Sequence, residues 1–194
     1  MDLCNNEDFL NAIILISQDF YNPIHTKCLE ICCNMTRLQH NNTKLALRTD
    51  LIETLIKCSK SKLEEDRSWS MRIFQNLTAS SCNIMAKPSI IEQLCVSSMR
   101  KTTEQEAAVS ALLNLSSESK NVVPLTSAKN VMACLIFLAQ NPNSLERVSS
   151  TSCHALAQIA MWLQSVAAGV TVPEEINPVP LPSSSSIGWM RWDK

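Results

Sequence analysis

The feature that most restricts the fold of this chain is a polar residue that recurs inside four similar apolar segments. The segments are CLEICCNMT (28–36), SMRIFQNLT (70–78), AVSALLNLS (108–116) and SCHALAQIA (152–160). Their polar residues, here called the ladder residues, are Asn34, Asn76, Asn114 and Gln158, separated by 42, 38 and 44 positions. A period near 40 residues is typical of stacked helical repeats, in which each unit packs only against its neighbours.

The positions around each ladder residue agree in chemistry as well as in spacing. One residue after it stand Met35, Leu77, Leu115 and Ile159. The positions five and two residues before it are also mostly apolar, and on a helix these three positions share one side. Asparagine is a poor residue for a helix interior, because its amide competes with the backbone for hydrogen bonds. Its recurrence in amphipathic helices therefore indicates a specific role.

Composition and local signals favour an all-α chain with three helices in each repeat. The 194 residues contain only two glycines, too few for a β-rich fold or a phosphate-binding loop. A shorter apolar helix is predicted before each segment, and capping boxes are predicted at Asp50, Ser89 and Thr103. A further short piece precedes each of the last three short helices. The chain opens on the second helix of a repeat, so the first repeat is predicted to be incomplete.

These features resemble the armadillo-repeat family. The shared motif is A/S-x-x-x-L-x-N-L-S/T with a further asparagine about seven residues on, at Asn41 or Asn42, Asn83 and Asn121. The resemblance covers about residues 8 to 168 and implies an all-α, right-handed superhelical solenoid of about four repeats. We expect an armadillo domain over 1–170, with repeats near 8–40, 41–80, 81–118 and 119–168, followed by a tail over 171–194.

The resemblance also implies a binding site. In armadillo proteins the third helices line a groove whose asparagines bind the backbone of an extended peptide, and an amide side chain offers the donor and the acceptor that a peptide unit needs. The ladder residues would have that role here. Seven further groove residues are predicted from the same helix faces: Lys27, Glu30, Arg37, Trp69, Arg72, His154 and Trp162. The alternative is that the asparagines only fix the packing of the helices.

The chemistry of this predicted groove is mixed. Family members that bind nuclear localisation signals carry a tryptophan one turn before each ladder asparagine, but this chain has Glu30, Arg72, Ser110 and His154 there. That mode of recognition is therefore not expected. A groove for acidic partners needs a basic stripe, and only a thin one is present. The class of peptide is not readable from the sequence.

Other classes of function find little support. The net charge of −1 gives no indication of nucleic acid or an acidic membrane surface. No catalytic motif is found, so we expect no catalytic residues, cofactor or small-molecule substrate. His25, Cys28, Cys32 and Cys33 have ligand-type side chains, but the repeat alignment places Cys32 in a core column, so no metal is expected.

The cysteines and the chain ends complete the prediction. Nine cysteines without a C-x-x-C motif, and no signal sequence or membrane span, favour free thiols in the cytoplasm or nucleus. The Pro/Ser-rich tail ends in WMRW, and three roles remain open: Trp189 and Trp192 cover the last repeat, anchor a partner, or lie in a disordered segment. Self-association through an exposed solenoid end is a further expectation.

The sequence thus predicts a non-enzymatic scaffold that binds a peptide or protein in its groove. The alternative is a C-terminal or isoform fragment of a larger armadillo scaffold (cytoskeletal, centriolar or signalling) that acts by stacking.

Overall fold

The computed structural model describes residues 6–100 and 102–168, and this part of the chain is helical without a β-strand. A 3-10 turn at Ser119–Asn121 precedes α8. The helices are α1 Glu7–Gln18, α2 His25–Thr36, α3 Gln39–Ala46, α4 Thr49–Cys58, α5 Glu64–Met85, α6 Pro88–Ser98, α7 Glu104–Ser116, α8 Val122–Ser127, α9 Val131–Gln140 and α10 Glu146–Ala167. The prediction of an all-α fold is confirmed for these residues. The predicted domain boundaries remain predictions, and the tail with Trp189 and Trp192 lies outside the described residues.

The helices form two adjacent stacks. The four segments with a ladder residue lie in α2, α5, α7 and α10, here called the ladder helices. Along this stack α2 packs on α5, α5 on α7, and α7 on α10. The shorter helices α1, α4, α6 and α9 contact one another in the same order. Packing thus follows the order of the chain, which is a solenoid-like arrangement.

The apolar positions predicted around the ladder residues form the core. Leu29, Phe74 and Leu115 are fully buried, as are most of their counterparts in the other ladder helices. The last ladder helix differs, because Cys153 is exposed and Leu156 is half-buried. No described helix follows α10 to cover this side of it.

The second and third units share one helix. We call α1–α2 unit 1, α3 to Ser80 unit 2, Ser81 to α7 unit 3, and Ser119 to α10 unit 4. The backbone is helical on both sides of Ser81, which itself has φ −137° and ψ 39°. The short piece CNIMAK, predicted as a separate helix, is therefore the kinked end of α5.

The asparagines seven residues beyond the ladder close the ends of the ladder helices. Asn41 Nδ2 donates to the carbonyl oxygen of Met35, and Asn121 Nδ2 donates to that of Leu115, both at 3.0 Å. Each bond satisfies a carbonyl in the last turn of a helix. Asn83 is exposed instead, because α5 continues past the point where α2 and α7 end.

The predicted capping boxes do not form. At α4, α6 and α7 the residues preceding the helix make no side-chain cap, and Asp50 instead pairs with Arg48 at 2.6 Å. The N-terminal cap bond of α1 does form, since Asn6 Oδ1 accepts from the Phe9 amide at 3.0 Å. Packing, and not capping, therefore fixes most of the helix starts.

No single helix among the described residues is long and apolar enough to cross a bilayer. The segments Ser119–Ser127 and Val131–Gln140 reach that length and composition only together, with a bend of 93° between them.

Candidate functional site

The ladder helices α2, α5 and α7 line an open groove of about 700 Å³, and the start of the fourth ladder helix, α10, completes its lining. Its lining residues are Glu30, Cys33, Asn34, Arg37, Trp69, Arg72, Gln75, Asn76, Thr103, Glu106, Ala107, Ser110 and Arg147. Six of the predicted site residues are thus brought together here, on α2, at the residue that follows it, and on α5. Lys27 lies beside the groove through its contact with Glu30, while Asn114, His154, Gln158 and Trp162 do not line it.

The amide of Asn76 is bonded to the preceding ladder helix. Its Nδ2 donates to Thr36 Oγ1 at 3.0 Å and to the carbonyl oxygen of Cys33 at 3.4 Å. Thr36 Oγ1 in turn donates to the Cys33 carbonyl at 2.8 Å. Both partners lie on α2, so Asn76 joins unit 2 to unit 1.

Asn114 repeats this arrangement one unit later. Its Nδ2 donates to the carbonyl oxygen of Gln75 at 3.1 Å and to Thr78 Oγ1 at 3.2 Å. In unit 4 the longer side chain of Gln158 reaches Ser116, whose Oγ donates to Oε1 of Gln158 at 2.7 Å. The recurring polar residue is therefore an inter-helix connector.

This bonding directs the Nδ2 groups of both asparagines to the preceding ladder helix and leaves their Oδ1 atoms as acceptors. No side-chain or backbone donor of the described residues bonds to Oδ1 of Asn76 or Asn114. Asn34 is different, because it is exposed and no described helix precedes α2 on that side. The donor-and-acceptor pairing with a peptide that the resemblance implied is thus available at Asn34, whereas Asn76 can offer its Oδ1.

Most of the charges at the groove are paired. Lys27 Nζ lies 2.8 Å from Glu30 Oε2, and the hydrogen bond that it donates to this carboxylate raises the pKa of Lys27. On the opposite side, Arg147 Nη1 lies 3.5 Å from Glu106 Oε2. Glu30, which opposes the thin basic stripe in the sequence, is therefore neutralised locally.

Two arginines at the groove have no such partner within residues 6–100 and 102–168. In this part of the chain no carboxylate lies within salt-bridge distance of Arg37 or Arg72. The Arg72 guanidinium stands over the Trp69 ring, 5.2 Å from its centroid, in a cation–π contact. Trp69 is half-buried, so it restricts the position of Arg72 while leaving its N–H groups available.

Cys33 lies at the floor of the groove and is sensitive to the local field. Burial raises the pKa of the Cys33 thiol, and the charges of Arg72 and Arg37 lower it, more strongly than Glu30 raises it. Both guanidinium groups therefore act on the same point of the floor.

The structure places Trp162 elsewhere. The sequence predicts it at the groove, but Trp162 is only 5% exposed and its Nε1 donates to the Ser116 carbonyl at 3.1 Å. Four residues beyond Gln158 on α10, this ring packs under the end of α7 and satisfies a terminal carbonyl. His154 is exposed on α10, outside the groove lining.

Sequence reasoning missed a second series of contacts between the ladder helices. His25 Nε2 lies 3.0 Å from Asp66 Oδ1, and Arg67 Nε lies 2.9 Å from Glu104 Oε1. Both acids are fully buried, although Asp66 stands in the charged run KLEEDR (62–67), a pattern typical of a solvated turn. His25 and Arg67 both stand nine residues before a ladder residue, and the acids ten before, which is the signal that would have revealed them.

These contacts also account for the candidate metal ligand His25. Its Nδ1 lies 2.9 Å from the Ser17 carbonyl oxygen and its Nε2 faces Asp66, so both ring nitrogens are used. Among the described residues, no group of three or more His, Cys, Asp or Glu side chains is arranged to hold a metal ion.

Comparison with known proteins supports the fold and is silent on activity. No family model matches the sequence, and no curated protein sequence matches it. The structure is similar to that of an engineered protein solved by the Northeast Structural Genomics Consortium, with a TM-score of 0.65 and 16% identity over 84% of this chain and 69% of that one. A second engineered protein from the same consortium gives a TM-score of 0.62 and 13% identity. That match covers 78% of this chain and 38% of the engineered protein. At these identities the likeness shows the fold alone, and it is compatible with a helical repeat fold.

Proposed function

We propose that this chain is an armadillo-type, non-enzymatic scaffold that binds an extended peptide or a partner protein in the groove between its ladder helices. The observation that carries the proposal is the groove itself, an open cleft about 700 Å³ in volume that spans three consecutive ladder helices. Its lining combines amides, hydroxyls and charged groups, which suits a polypeptide ligand better than a small apolar molecule.

Three-helix units and the connecting asparagines support the armadillo assignment within the broader class of helical repeats. The order of a short, a medium and a long helix recurs in units 2 and 4, with the short helix of unit 3 fused to α5. In keeping with the free cysteines of the described residues, we place the protein in the cytoplasm or nucleus.

One observation favours the alternative function, in which the chain is part of a larger scaffold and acts by stacking. The Nδ2 groups of Asn76 and Asn114 are bonded to neighbouring helices, so these residues serve packing whether or not a ligand binds. The two functions predict different consequences of filling the groove.

The experiment that separates them is affinity capture with a variant that fills the groove without disturbing the connectors. Ser110 is half-buried and lines the groove, and its side chain forms no hydrogen bond to another unit among the described residues. Ser110→Trp therefore places a large ring in the cleft. Lys57→Trp, at an exposed position on α4 outside the lining, is the matched control. Circular dichroism checks that both variants are folded.

Partners lost from Ser110→Trp and retained by Lys57→Trp would support groove binding. An identical set of partners for the intact chain and both variants would contradict it and favour stacking.

A further inference from the structure

We propose that the groove contains a subsite for a phosphorylated serine or threonine side chain of the bound peptide, formed by Arg37 and Arg72. This inference rests on the proposed function, because it assigns the chemistry of a ligand in the same groove. The inference goes beyond the proposed function in naming the chemical group that is recognised and the residues that recognise that group.

The first step is the balance of charge at the groove. Two of the basic side chains there are neutralised by Glu30 and Glu106, at 2.8 Å and 3.5 Å. Arg37 and Arg72 remain without a carboxylate partner in the described part of the chain. A phosphate monoester carries a charge of about −1.5 to −2 at neutral pH, which two guanidinium groups balance.

The second step is the position of the two arginines. Arg37 lies one turn after Asn34, at the end of α2, and Arg72 lies one turn before Asn76 on the adjacent α5. The Asn76 amide contacts α2 at Cys33, and Cys33, Arg37 and Arg72 line the same groove. The positive field that both arginines create at the Cys33 sulfur supports this placement.

The third step is that the Arg72 side chain is already held in position before a ligand binds. Trp69 holds Arg72 by a 5.2 Å cation–π contact, which reduces the entropy that the side chain loses on binding an anion. Guanidinium groups suit phosphate because their planar donors can bind two oxygens at once.

The fourth step separates a phosphopeptide from a nucleic acid. Glu64 and Glu65 lie in a neighbouring cavity beside Trp69 and Arg72. These acids would repel a continuous polyanion but tolerate one phosphate on an otherwise uncharged peptide. The Oδ1 of Asn76 can accept from a peptide N–H, which a phosphodiester backbone does not offer.

The test is a set of binding measurements by fluorescence anisotropy. The probes are fluorescein-labelled peptide pools of equal length, degenerate except for a central phosphoserine, serine or aspartate, together with an oligodeoxythymidylate of the same length. The proteins are the intact chain, Arg37→Gln, Arg72→Gln, the groove-filling Ser110→Trp and the control Lys57→Gln, which removes the same charge from an exposed site on α4.

We expect the phosphoserine pool to bind the intact chain at least about tenfold more tightly than the serine pool, as charge-assisted hydrogen bonds allow. Arg37→Gln and Arg72→Gln should each remove most of that difference, and Lys57→Gln should keep it. Arg72→Lys keeps the charge but not the planar guanidinium. It should therefore keep more of the difference between the two pools than Arg72→Gln does, and less than Lys57→Gln does.

Equal binding of the serine and phosphoserine pools, with both abolished by Ser110→Trp, would overturn the subsite and leave the proposed function standing. If Ser110→Trp weakens the binding of none of the pools, both the phosphate subsite and the proposed function are overturned. Tighter binding of the aspartate pool or of the oligonucleotide would overturn the assignment of a phosphorylated side chain.

Discussion

Single residues that carry buried charge have a large effect on this fold. Asp66 and Glu104 are fully buried, and each is held by a basic side chain from the preceding unit. A carboxylate removed from water is costly unless hydrogen bonds and an opposite charge compensate it. Asp66 has hydrogen-bond partners in His25, whose Nε2 lies 3.0 Å from Oδ1, and in Ser61, whose Oγ donates to Oδ2 at 2.8 Å.

Removal of His25 should therefore destabilise the protein strongly. His25→Ala leaves Asp66 buried without its main partner, and we expect the free energy of unfolding to fall by about 3–5 kcal/mol. Urea denaturation followed by circular dichroism measures the change. His154→Ala, at an exposed histidine, is the control and should stay within about 0.5 kcal/mol of the intact chain. Similar midpoints for the two variants would show that the His25–Asp66 pair contributes little.

The buried thiol of Cys58 should make stability depend on pH in the alkaline range. Burial, aided by the Asp66 charge, raises the pKa of Cys58 from 9.0 to about 12. Above the unfolded pKa the unfolded thiol loses its proton while the folded one keeps it, so the unfolded state binds fewer protons. The free energy of unfolding should then fall by about 1.4 kcal/mol per pH unit between the two pKa values.

Urea titrations at several pH values above 9.0 can measure that slope in the intact chain and in Cys58→Ala. In Cys58→Ala the free energy of unfolding should fall less steeply with pH, and the difference in slope should correspond to about one proton. The same slope in both proteins would contradict the assignment.

At the scale of helices, the ladder residues join elements that are distant in sequence. Each of Asn76 and Asn114 bonds to a backbone carbonyl and a threonine hydroxyl of the preceding ladder helix. Asn34 has the same place in α2 but is exposed, so the chain contains its own control for the structural role of this amide.

Alanine at Asn76 and at Asn34 should have different effects. Asn76→Ala removes both bonds to α2 and should lower the free energy of unfolding by about 1–3 kcal/mol. Asn34→Ala should change it by no more than about 0.5 kcal/mol. Chemical denaturation of both variants under the same conditions provides the comparison. A cost at Asn34 equal to that at Asn76 would mean that helix propensity, and not the bonds to α2, explains the effect.

Much of the helical pattern was predictable from sequence, because the same apolar positions recur around the ladder residue in each ladder helix. The core positions around Asn76, such as Phe74 and Leu77, are buried as predicted. The direction of the Asn76 amide was not predictable, since a pattern within one helix does not say which neighbouring helix a side chain reaches. Trp162 was misplaced for the same reason, and Asp66 because burial of an acid depends on a partner 41 residues away.

At the scale of the whole molecule, stability should vary along the stack. In a solenoid each unit is stabilised by its own packing and by its interfaces with adjacent units. The helices α5 and α7 have a ladder helix on both sides, whereas α2 and α10 have one on a single side among the described residues.

Amide hydrogens of α5 and α7 should therefore exchange more slowly than those of α1 and α10. Hydrogen exchange followed by mass spectrometry of peptic fragments resolves these helices. Uniform protection from α1 to α10 would indicate that the chain opens only as a whole, and that its units do not contribute separately.

The kinked helix α5 has a mechanical consequence. Units 2 and 3 are joined by a helix that passes through Ser81, while Arg37 and Leu38 join α2 to α3, and Ser117 and Glu118 join α7 to the 3-10 turn. A force applied along the stack would reach units 2 and 3 through these two short connections, whereas between those two units it would pass through the kink at Ser81. Arg37 lies at the first connection and Arg72 lies beyond it on α5, so the distance between them depends on the angle at that joint.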